Sequence, residues 1–300
     1  MVVYDVFSDC ITYKYKAYFC SKASLILFIT SVLSVLFPLI FTYRSHGFWM
    51  RTDTYQEQPQ VSYKYDYILI ADTDSRDSLI ICSNLPYIST NHYSCPIVKA
   101  IEEDVNRDGY NDALHFSINL LSEDVTVHGI TLLLFFDYKL TSYCRVQMEV
   151  MAVVQHSSPL AGAGLIVSAD LSLVQRQPLN PRHTHTQYNI STVQSTVPFS
   201  LPQLLSQYSF RNVSARLTNM YVSWQTRPVA GEPFTVDATV IYTESTVRYT
   251  PSRWQQLRLG WVQFFPILVI SILAFRAVKS FIFSNQLVHT YRDVPWKPLR

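Results

Sequence analysis

Two uninterrupted apolar runs lie near opposite ends of the chain. The first extends from Ala23 to Tyr43 and the second from Leu259 to Phe275, and neither contains a charged residue. As helices they would be about 31 Å and about 25 Å long, close to the roughly 30 Å hydrocarbon core of a bilayer. Neither run has the polar face that a core helix of a soluble domain normally keeps. The pattern therefore predicts two transmembrane helices rather than two buried helices of a soluble protein.

Between the two runs, the hydrophobic pattern is that of β-strands. Leu114 to Leu121 alternates between apolar and polar residues, as a strand with one buried face does. Ile130 to Tyr138 is almost continuously apolar, which favours a strand covered on both faces and leaves a buried helix as the alternative. Ser158-Pro159 is predicted as a break between strands, and Ser200 to Ser209 as a short helix across the sheet. The strand-like segments are Val61–Ala71, Leu114–Leu121, Ile130–Tyr138, Arg145–Gln155, Leu165–Gln175 and Phe234–Tyr242.

The predicted fold class is a membrane protein in which two transmembrane α-helices flank a mainly-β, β-sandwich-like domain. The domain covers residues 44–258 and contains sixteen Lys or Arg and nineteen Asp or Glu. The two tails, residues 1–22 and 276–300, together contain eight Lys or Arg and three Asp or Glu. Because basic residues in short tails favour the cytoplasmic side, both tails are predicted to be cytoplasmic and the domain lumenal or extracellular.

A cleaved signal peptide is the alternative interpretation of the first apolar run. The run is longer than the apolar core of such a peptide and has no small-x-small cleavage site after it, so an uncleaved anchor is predicted. Two N-x-S sequons, at Asn189 and Asn212, lie in the segment assigned to the lumenal side. Both asparagines are therefore candidate glycosylation sites.

The cysteines divide between the two sides of the membrane. Three of the five lie in the domain, so at most one internal disulfide forms there, and we expect it to join Cys82 and Cys95 across a short loop. So few cysteines do not make a disulfide scaffold, and the domain must be stabilised by its own core. Cys20 lies just before the first apolar run, where palmitoylation occurs.

A polar loop precedes the alternating strand and resembles the first part of a calcium-binding loop. Oxygen-bearing side chains occupy its first, third, fifth and ninth positions, and Gly109 at the sixth permits a sharp turn. The twelfth position is His115 rather than a bidentate glutamate, so the loop is not an EF-hand. A polar turn before a strand is the alternative. The candidate Ca²⁺ ligands are Asp104, Asn106, Asp108 and Asp112.

The sequence contains no motif that nominates a catalytic nucleophile or a catalytic metal. Only seven glycines occur in the chain, which argues against phosphate-cradling loops. Neither apolar run contains an ionisable side chain, so the runs are interpreted as anchors rather than as a transport pathway. A subunit of a two-span ligand-gated channel or receptor is the alternative function, although such proteins usually have more disulfides and charged or polar pore helices.

Several short stretches, in this order and spacing, resemble the transmembrane protein 231 family over nearly the whole chain. The segment from Cys82 to Cys95 and the last tail depart from the family pattern. The matching stretches are Cys20–Ala23, Arg44–Trp49, Glu57–Pro59, Glu102–Phe116, Tyr188–Ser191, Arg211–Val213 and Trp261–Gln263.

The resemblance implies a non-enzymatic glycoprotein of the ciliary membrane at the transition zone, with two spans and both termini cytoplasmic. It implies membership of the tectonic-like (Meckel syndrome) complex, with tectonics, B9-domain proteins and other small membrane proteins as partners. That complex is a diffusion barrier that controls protein entry into the cilium, and it is needed for cilium assembly and Hedgehog signalling. We expect no nucleic acid, no small-molecule substrate and no cofactor other than the Ca²⁺ considered above.

Overall fold

The computed structural model divides the chain into two compact units. One is built from both ends of the chain, Met1–Arg51 with Pro251–Arg300, and the other from Thr52–Thr250. Two apolar helices in the first unit and a mainly-β second unit confirm the predicted fold class. The residues that the structure describes are 14–18, 21–45, 50–74, 79–86, 88, 98–120, 126–193, 199–226 and 232–293.

The two long helices are α1 (Lys22–Arg44) and α3 (Arg253–Ser284), and both are long and apolar enough to cross a membrane. Each begins at a serine, Ser21 or Ser252, whose hydroxyl accepts a hydrogen bond from a backbone N–H three residues later. The second helix extends beyond the predicted run at both ends. The predicted run stopped at Arg276 because a charged residue ends a stretch of high hydropathy. Arginine and lysine are good helix formers, so the helix itself continues through Arg276.

The faces on which α1 and α3 pack consist mainly of small residues. The two helices run antiparallel. Ser45, just after the end of α1, hydrogen-bonds Gln263 in the first half of α3, whereas Ser31, nearer the start of α1, contacts Lys279 near the end of α3. Small side chains allow two helices to approach closely in a membrane, where apolar burial itself gives little driving force. Most of the large apolar side chains of both helices are exposed, and Phe264 of α3 is a buried exception. The buried residues are Ala23, Thr30, Pro38 and Thr42 of α1 and Gly260, Phe264 and Ser271 of α3.

The two tails pair with each other at one end of the helix pair. Strand β1 (Lys14–Lys16) is antiparallel to β12 (Tyr291–Asp293). The ring of Tyr15 stacks on Phe283 at 6.2 Å between centroids, and Tyr18 meets Tyr291 edge-on at 5.9 Å. Both tails therefore leave the helices at the same end. Strands of three residues have no detectable periodicity, which is why the sequence did not reveal this pairing.

The β-rich unit contains one eight-stranded sheet, a two-stranded ribbon and a short helix. The sheet has the strand order β4-β3-β7-β8-β10-β6-β5, with β9 also paired to β8, and β11 pairs with β2. The elements are β2 (Asp53–Glu57), β3 (Gln60–Thr73), β4 (Ile80–Ser83), β5 (Val98–Glu103), β6 (Ala113–Leu120), β7 (Val127–Leu140), β8 (Val146–Gln175), α2 (Leu201–Ser209), β9 (Val213–Thr226), β10 (Phe234–Tyr242) and β11 (Ser245–Tyr249).

Strand β8 corrects one sequence prediction, because it continues through the break expected at Ser158-Pro159. Its first half pairs with β7, and its second half pairs with β9 and, in parallel, with β10. The β7–β8 register is interrupted between Ser157 and Gly162. Pro159, which has no N–H to donate, therefore sits in the irregularity that joins two partly independent halves of one strand.

The sheet curls so that its two halves face each other across the core. Phe116 of β6 contacts Tyr63 and Tyr67 of β3 at 6.3 and 5.8 Å between ring centroids, and Phe136 of β7 meets Tyr242 of β10 at 6.0 Å. The other face of β7 is covered by α2 and belongs to a second hydrophobic cluster. Strand β7 is thus buried on both faces, which confirms the strand predicted for its apolar run and the helix predicted across the sheet.

Candidate functional site

The four predicted calcium ligands lie in one loop between β5 and β6, and the loop itself hydrogen-bonds many of their oxygens. Asp104 Oδ2 accepts a hydrogen bond from the Gly109 N–H at 3.0 Å, and Asp108 Oδ1 accepts one from the Tyr110 N–H at 2.8 Å. Gly109 has φ +87°, which glycine adopts without strain. Asn106 Oδ1 accepts from the Asp108 N–H at 3.0 Å. These hydrogen bonds make a polar turn, and they leave other lone pairs of the same side chains for a metal ion.

Asp112 closes this loop and attaches it to the sheet. Its Oδ2 accepts from the Val105 N–H at 3.0 Å, and its Oδ1 accepts from Gln58 Nε2 at 3.2 Å. Asp104 Oδ1 is buried without a hydrogen-bond partner among the described residues. Within those residues, no group of three or more histidine, cysteine, aspartate or glutamate side chains converges as metal ligands. The Ca²⁺ site stays a prediction.

The two sequons lie next to each other in the folded domain. Asn189 and Asn212 are both exposed. The hydroxyl of Tyr188, the residue before the first sequon, accepts a hydrogen bond from the Asn212 N–H at 3.2 Å. The guanidinium of Arg211 lies over the Tyr188 ring at 5.1 Å from its centroid. Glycans on the two asparagines would therefore leave the domain from one region of its surface.

A buried carboxylate, which sequence reasoning missed, positions the sequon segment. Glu149 on β8 is 3% exposed, and its Oε2 accepts from Lys64 Nζ at 2.5 Å. Its Oε1 accepts from the Thr192 N–H, and its backbone carbonyl accepts from Arg211 Nη1 at 2.7 Å. Burial lowers the pKa of Lys64, but the hydrogen bond and charge of Glu149 outweigh that effect, so its pKa is raised. These contacts connect β3, β8 and the segment that carries the first sequon, and the group of Glu149, Lys64, Thr192 and Arg211 is called the Glu149 clamp below.

The cysteines fall partly outside the described residues. Cys82 is buried and disulfide-bonded, and Cys95, the partner predicted for it, lies outside the described residues. Cys144 is free and buried, and burial raises the pKa of its thiol. A raised pKa disfavours the thiolate, so Cys144 is not an activated nucleophile. Cys20, the candidate for palmitoylation, also lies outside the described residues.

Helix α3 is longer than the uncharged run predicted within it, and two of its four cations lie beyond the C-terminal end of that run. Arg276 and Lys279 lie on the helix beyond the predicted run, and Lys279 Nζ donates to Ser31 Oγ of α1 at 2.8 Å. Ser31 lies within the apolar run of α1, so the ammonium sits beside that run rather than past its end. Hydropathy alone could not reveal this, because it does not give the register between two helices.

Together these features define a class of protein: a membrane protein whose two apolar helices lie before and after a mainly-β domain. A family model described as Transmembrane protein 231 matches residues 1–292. Transmembrane protein 231 of Xenopus tropicalis is 36% identical over 298 residues, covering 97% of this chain and 96% of the relative. The Homo sapiens protein of the same name is 35% identical over 299 residues, covering 97% and 95%. The chain belongs to the transmembrane protein 231 family, as the resemblance in its sequence indicated.

Among solved structures, the chain is similar to one described as the cryo-EM structure of a proton-activated chloride channel. The identity is 8% and the TM-score 0.26, over 87% of this chain and 98% of the other. A TM-score this low supports no argument about function.

Proposed function

We propose that the protein is a non-enzymatic structural component of the membrane complex at the ciliary transition zone. The observation that carries this proposal is family membership over 97% of the chain at about one-third identity. In this role the protein belongs to a diffusion barrier that controls entry of membrane proteins into the cilium and supports cilium assembly and Hedgehog signalling. Its partners are tectonics, B9-domain proteins and other small membrane proteins.

The proposed orientation places both tails in the cytoplasm and the domain on the lumenal or extracellular side. The tails leave the helix pair at one end, where β1 pairs with β12. Both tails must therefore lie on the same side of the membrane. The excess of basic residues in the tails favours the cytoplasm. The exposed asparagines of the two sequons are then accessible to the glycosylation machinery.

The orientation is tested by glycosylation of the full chain expressed in cells. We expect a wild-type electrophoretic mobility that increases after glycosidase treatment. Asn189→Gln and Asn212→Gln should each remove one step of the shift, and the double variant should remove it altogether. Asn219→Gln is a matched control, because Asn219 lies in the same domain but begins no sequon. A wild-type chain whose mobility does not change with glycosidase would contradict a lumenal domain.

The location is tested by tagging the chain at its endogenous locus in ciliated cells and imaging it with markers of the basal body and the axoneme. We expect enrichment at the cilium base, between the two markers. Uniform plasma-membrane signal would rule out the transition-zone proposal. A current across planar bilayers containing the purified chain would instead favour the channel subunit considered above.

A further inference from the structure

Two of the four cations of α3, Arg276 and Lys279, lie deep beside the apolar run of α1. Lys279 Nζ is 2.8 Å from Ser31 Oγ. At 1.5 Å per residue, Ser31 is about 14 Å along the helix axis from Lys22 and about 20 Å from Arg44, the basic residues at the two ends of α1. If α1 crosses a hydrocarbon core of about 30 Å, the Lys279 ammonium is therefore well inside it.

Neither cation has a counter-charge among the described residues. The sequences of α1 and α3 contain no aspartate or glutamate, and the Ser31 hydroxyl is neutral. In the described part of the chain, neither Arg276 nor Lys279 forms an ion pair. A cation in the middle of a transmembrane helix costs about 3 kcal/mol on insertion scales, and such residues typically pair with other groups inside the bilayer.

The two cations form one patch that is accessible from outside the helix pair. Arg276 and Lys279 are three residues apart on α3, a spacing that puts Cβ atoms about 5–6 Å from each other on one face. Lys279 is half-buried against α1, whereas Arg276 is exposed. A single carboxylate placed beside them could accept from the guanidinium fork and from the ammonium together.

We propose that Arg276 and Lys279 are an intramembrane docking site for a partner's transmembrane helix that carries an aspartate or glutamate at the same depth. The inference goes beyond the proposed function and requires only that α1 and α3 span the bilayer. Charge complementarity identifies the occupant, because one carboxylate can accept hydrogen bonds from both cations and neutralises one of their two positive charges where water is absent.

The direction of the side chains favours a helix over an anionic lipid headgroup. Side chains of an α-helix lean toward its N-terminus, so those of α3 lean away from the end where the tails pair. The contact between Lys279 and Ser31 fits that direction. To reach a headgroup at the nearer, tail-side surface, the lysine side chain would have to turn the other way.

The test measures association between the full chain and a defined helix in phosphatidylcholine vesicles. The probe is an oligo-leucine transmembrane peptide with one central aspartate, and the matched peptides have asparagine or leucine at that position. Energy transfer between labels on the chain and on the peptide reports binding. We expect the aspartate peptide to bind about tenfold more tightly than the leucine peptide.

Variants of the chain separate the proposed site from general effects. The double variant Arg276→Gln with Lys279→Met should bind all three peptides equally. Arg276→Gln alone leaves the Lys279–Ser31 contact in place and should lose part of the preference for the aspartate peptide. This single variant keeps the test valid if α1 and α3 separate in the double variant. Arg258→Gln, on the same helix but before the apolar run, is the matched control and should keep the full preference.

Two outcomes overturn the proposal. One is equal binding of the aspartate and leucine peptides to the wild-type chain. The other is loss of the aspartate preference on adding phosphatidylserine, together with lipid binding that disappears in the double variant, which would identify a headgroup as the ligand. Neither outcome bears on the location at the cilium base, so failure of this proposal and failure of the proposed function are distinguishable.

Discussion

Lys64 Nζ lies 2.5 Å from Glu149 Oε2, and Glu149 is the only charged residue among the described positions that is fully buried. The same carboxylate accepts from the Thr192 N–H and so connects β3 and β8 to the segment that carries the first sequon. This ion pair therefore links the stability of the domain to the position of a predicted glycan.

Removing either partner of this pair should destabilise the domain. Lys64→Met leaves a buried carboxylate without its cation, and we expect the free energy of unfolding to fall by about 3 kcal/mol, measured by denaturant unfolding of the full chain in detergent. The exposed pair of Glu103 and His115 is the matched control, and Glu103→Gln should cost less than about 1 kcal/mol. Equal losses in the two variants would contradict a special role for Glu149.

Two buried tyrosines should respond differently to the same substitution, because only one of them has hydrogen-bond partners among the described residues. The Tyr208 hydroxyl donates to the Ala215 carbonyl at 2.8 Å and accepts from the Met151 and Ala215 N–H groups at 3.1 Å each. The Tyr63 hydroxyl is buried without a partner among the described residues. Tyr208→Phe should therefore lower the free energy of unfolding by about 1–3 kcal/mol, whereas Tyr63→Phe should leave it unchanged or raise it. Thermal unfolding of the two variants and the wild type measures both changes, and equal losses in the two variants would contradict the prediction.

The domain should lose stability in alkali. Burial raises the pKa of the hydroxyls of Tyr63, Tyr138 and Tyr242. Below pH about 10 these groups are protonated in both the folded and unfolded states, so their contribution to stability is fully present. Above that pH the unfolded chain releases protons that the folded domain retains, and stability falls. Unfolding followed from pH 8 to 11 checks the decline, which should be shallower in Tyr63→Phe, and a flat profile would contradict it.

Gly162 on β8 is needed for close packing of Trp224. A Cβ atom at this position would lie 2.3 Å from Trp224 Cζ2, so the indole ring or the strand must move. Gly162→Ala should cost about 1–3 kcal/mol of stability, in the range of overpacked cores. Adding Trp224→Leu should recover part of that loss by removing the clash. A single variant as stable as the wild type would show that the indole ring shifts at no cost.

A Ca²⁺ ion in the Asp104 loop would bind carboxylate lone pairs that the N–H groups of the loop do not use, such as those of Asp104 Oδ1. Titration calorimetry on the full chain in detergent should show binding in the range of extracellular sites, about 10⁻⁴ to 10⁻³ M. Asp108→Asn should weaken the affinity because it removes one anionic ligand, whereas Asp237→Asn, on a strand distant in sequence, should not. The absence of heat at millimolar Ca²⁺ would leave the loop as a polar turn.

The strands that were predicted from the sequence are those in which burial of one or both faces produces a clear pattern of hydrophobic residues. Strand β6 alternates and β7 is buried on both faces, and both were recognised from periodicity alone. Strand β9 was missed because most of its residues are exposed or half-buried, so its hydrophobic pattern is weak. Its position is determined by pairing with β8, a tertiary contact that the local sequence does not encode.

The candidate sites divide in a similar way. The sequons and the Asp104 loop were visible because each is a continuous motif. The Glu149 clamp was missed, although a lone acid within the apolar run of β8 was a signal that a buried partner must exist. The depth of Lys279 was missed because it depends on how two helices pair, and their residues are more than two hundred positions apart.

The pairing of β1 with β12 has a consequence for biosynthesis. Because β1 precedes the β-rich unit in the chain and β12 follows it, the two strands can pair only after β12 has left the ribosome. Every residue from Thr52 to Thr250 has been synthesised by then, so the β-rich unit can fold before the two tails pair. Until α3 has been synthesised, the face of α1 that contacts it, including Ser31, has no partner helix within the chain.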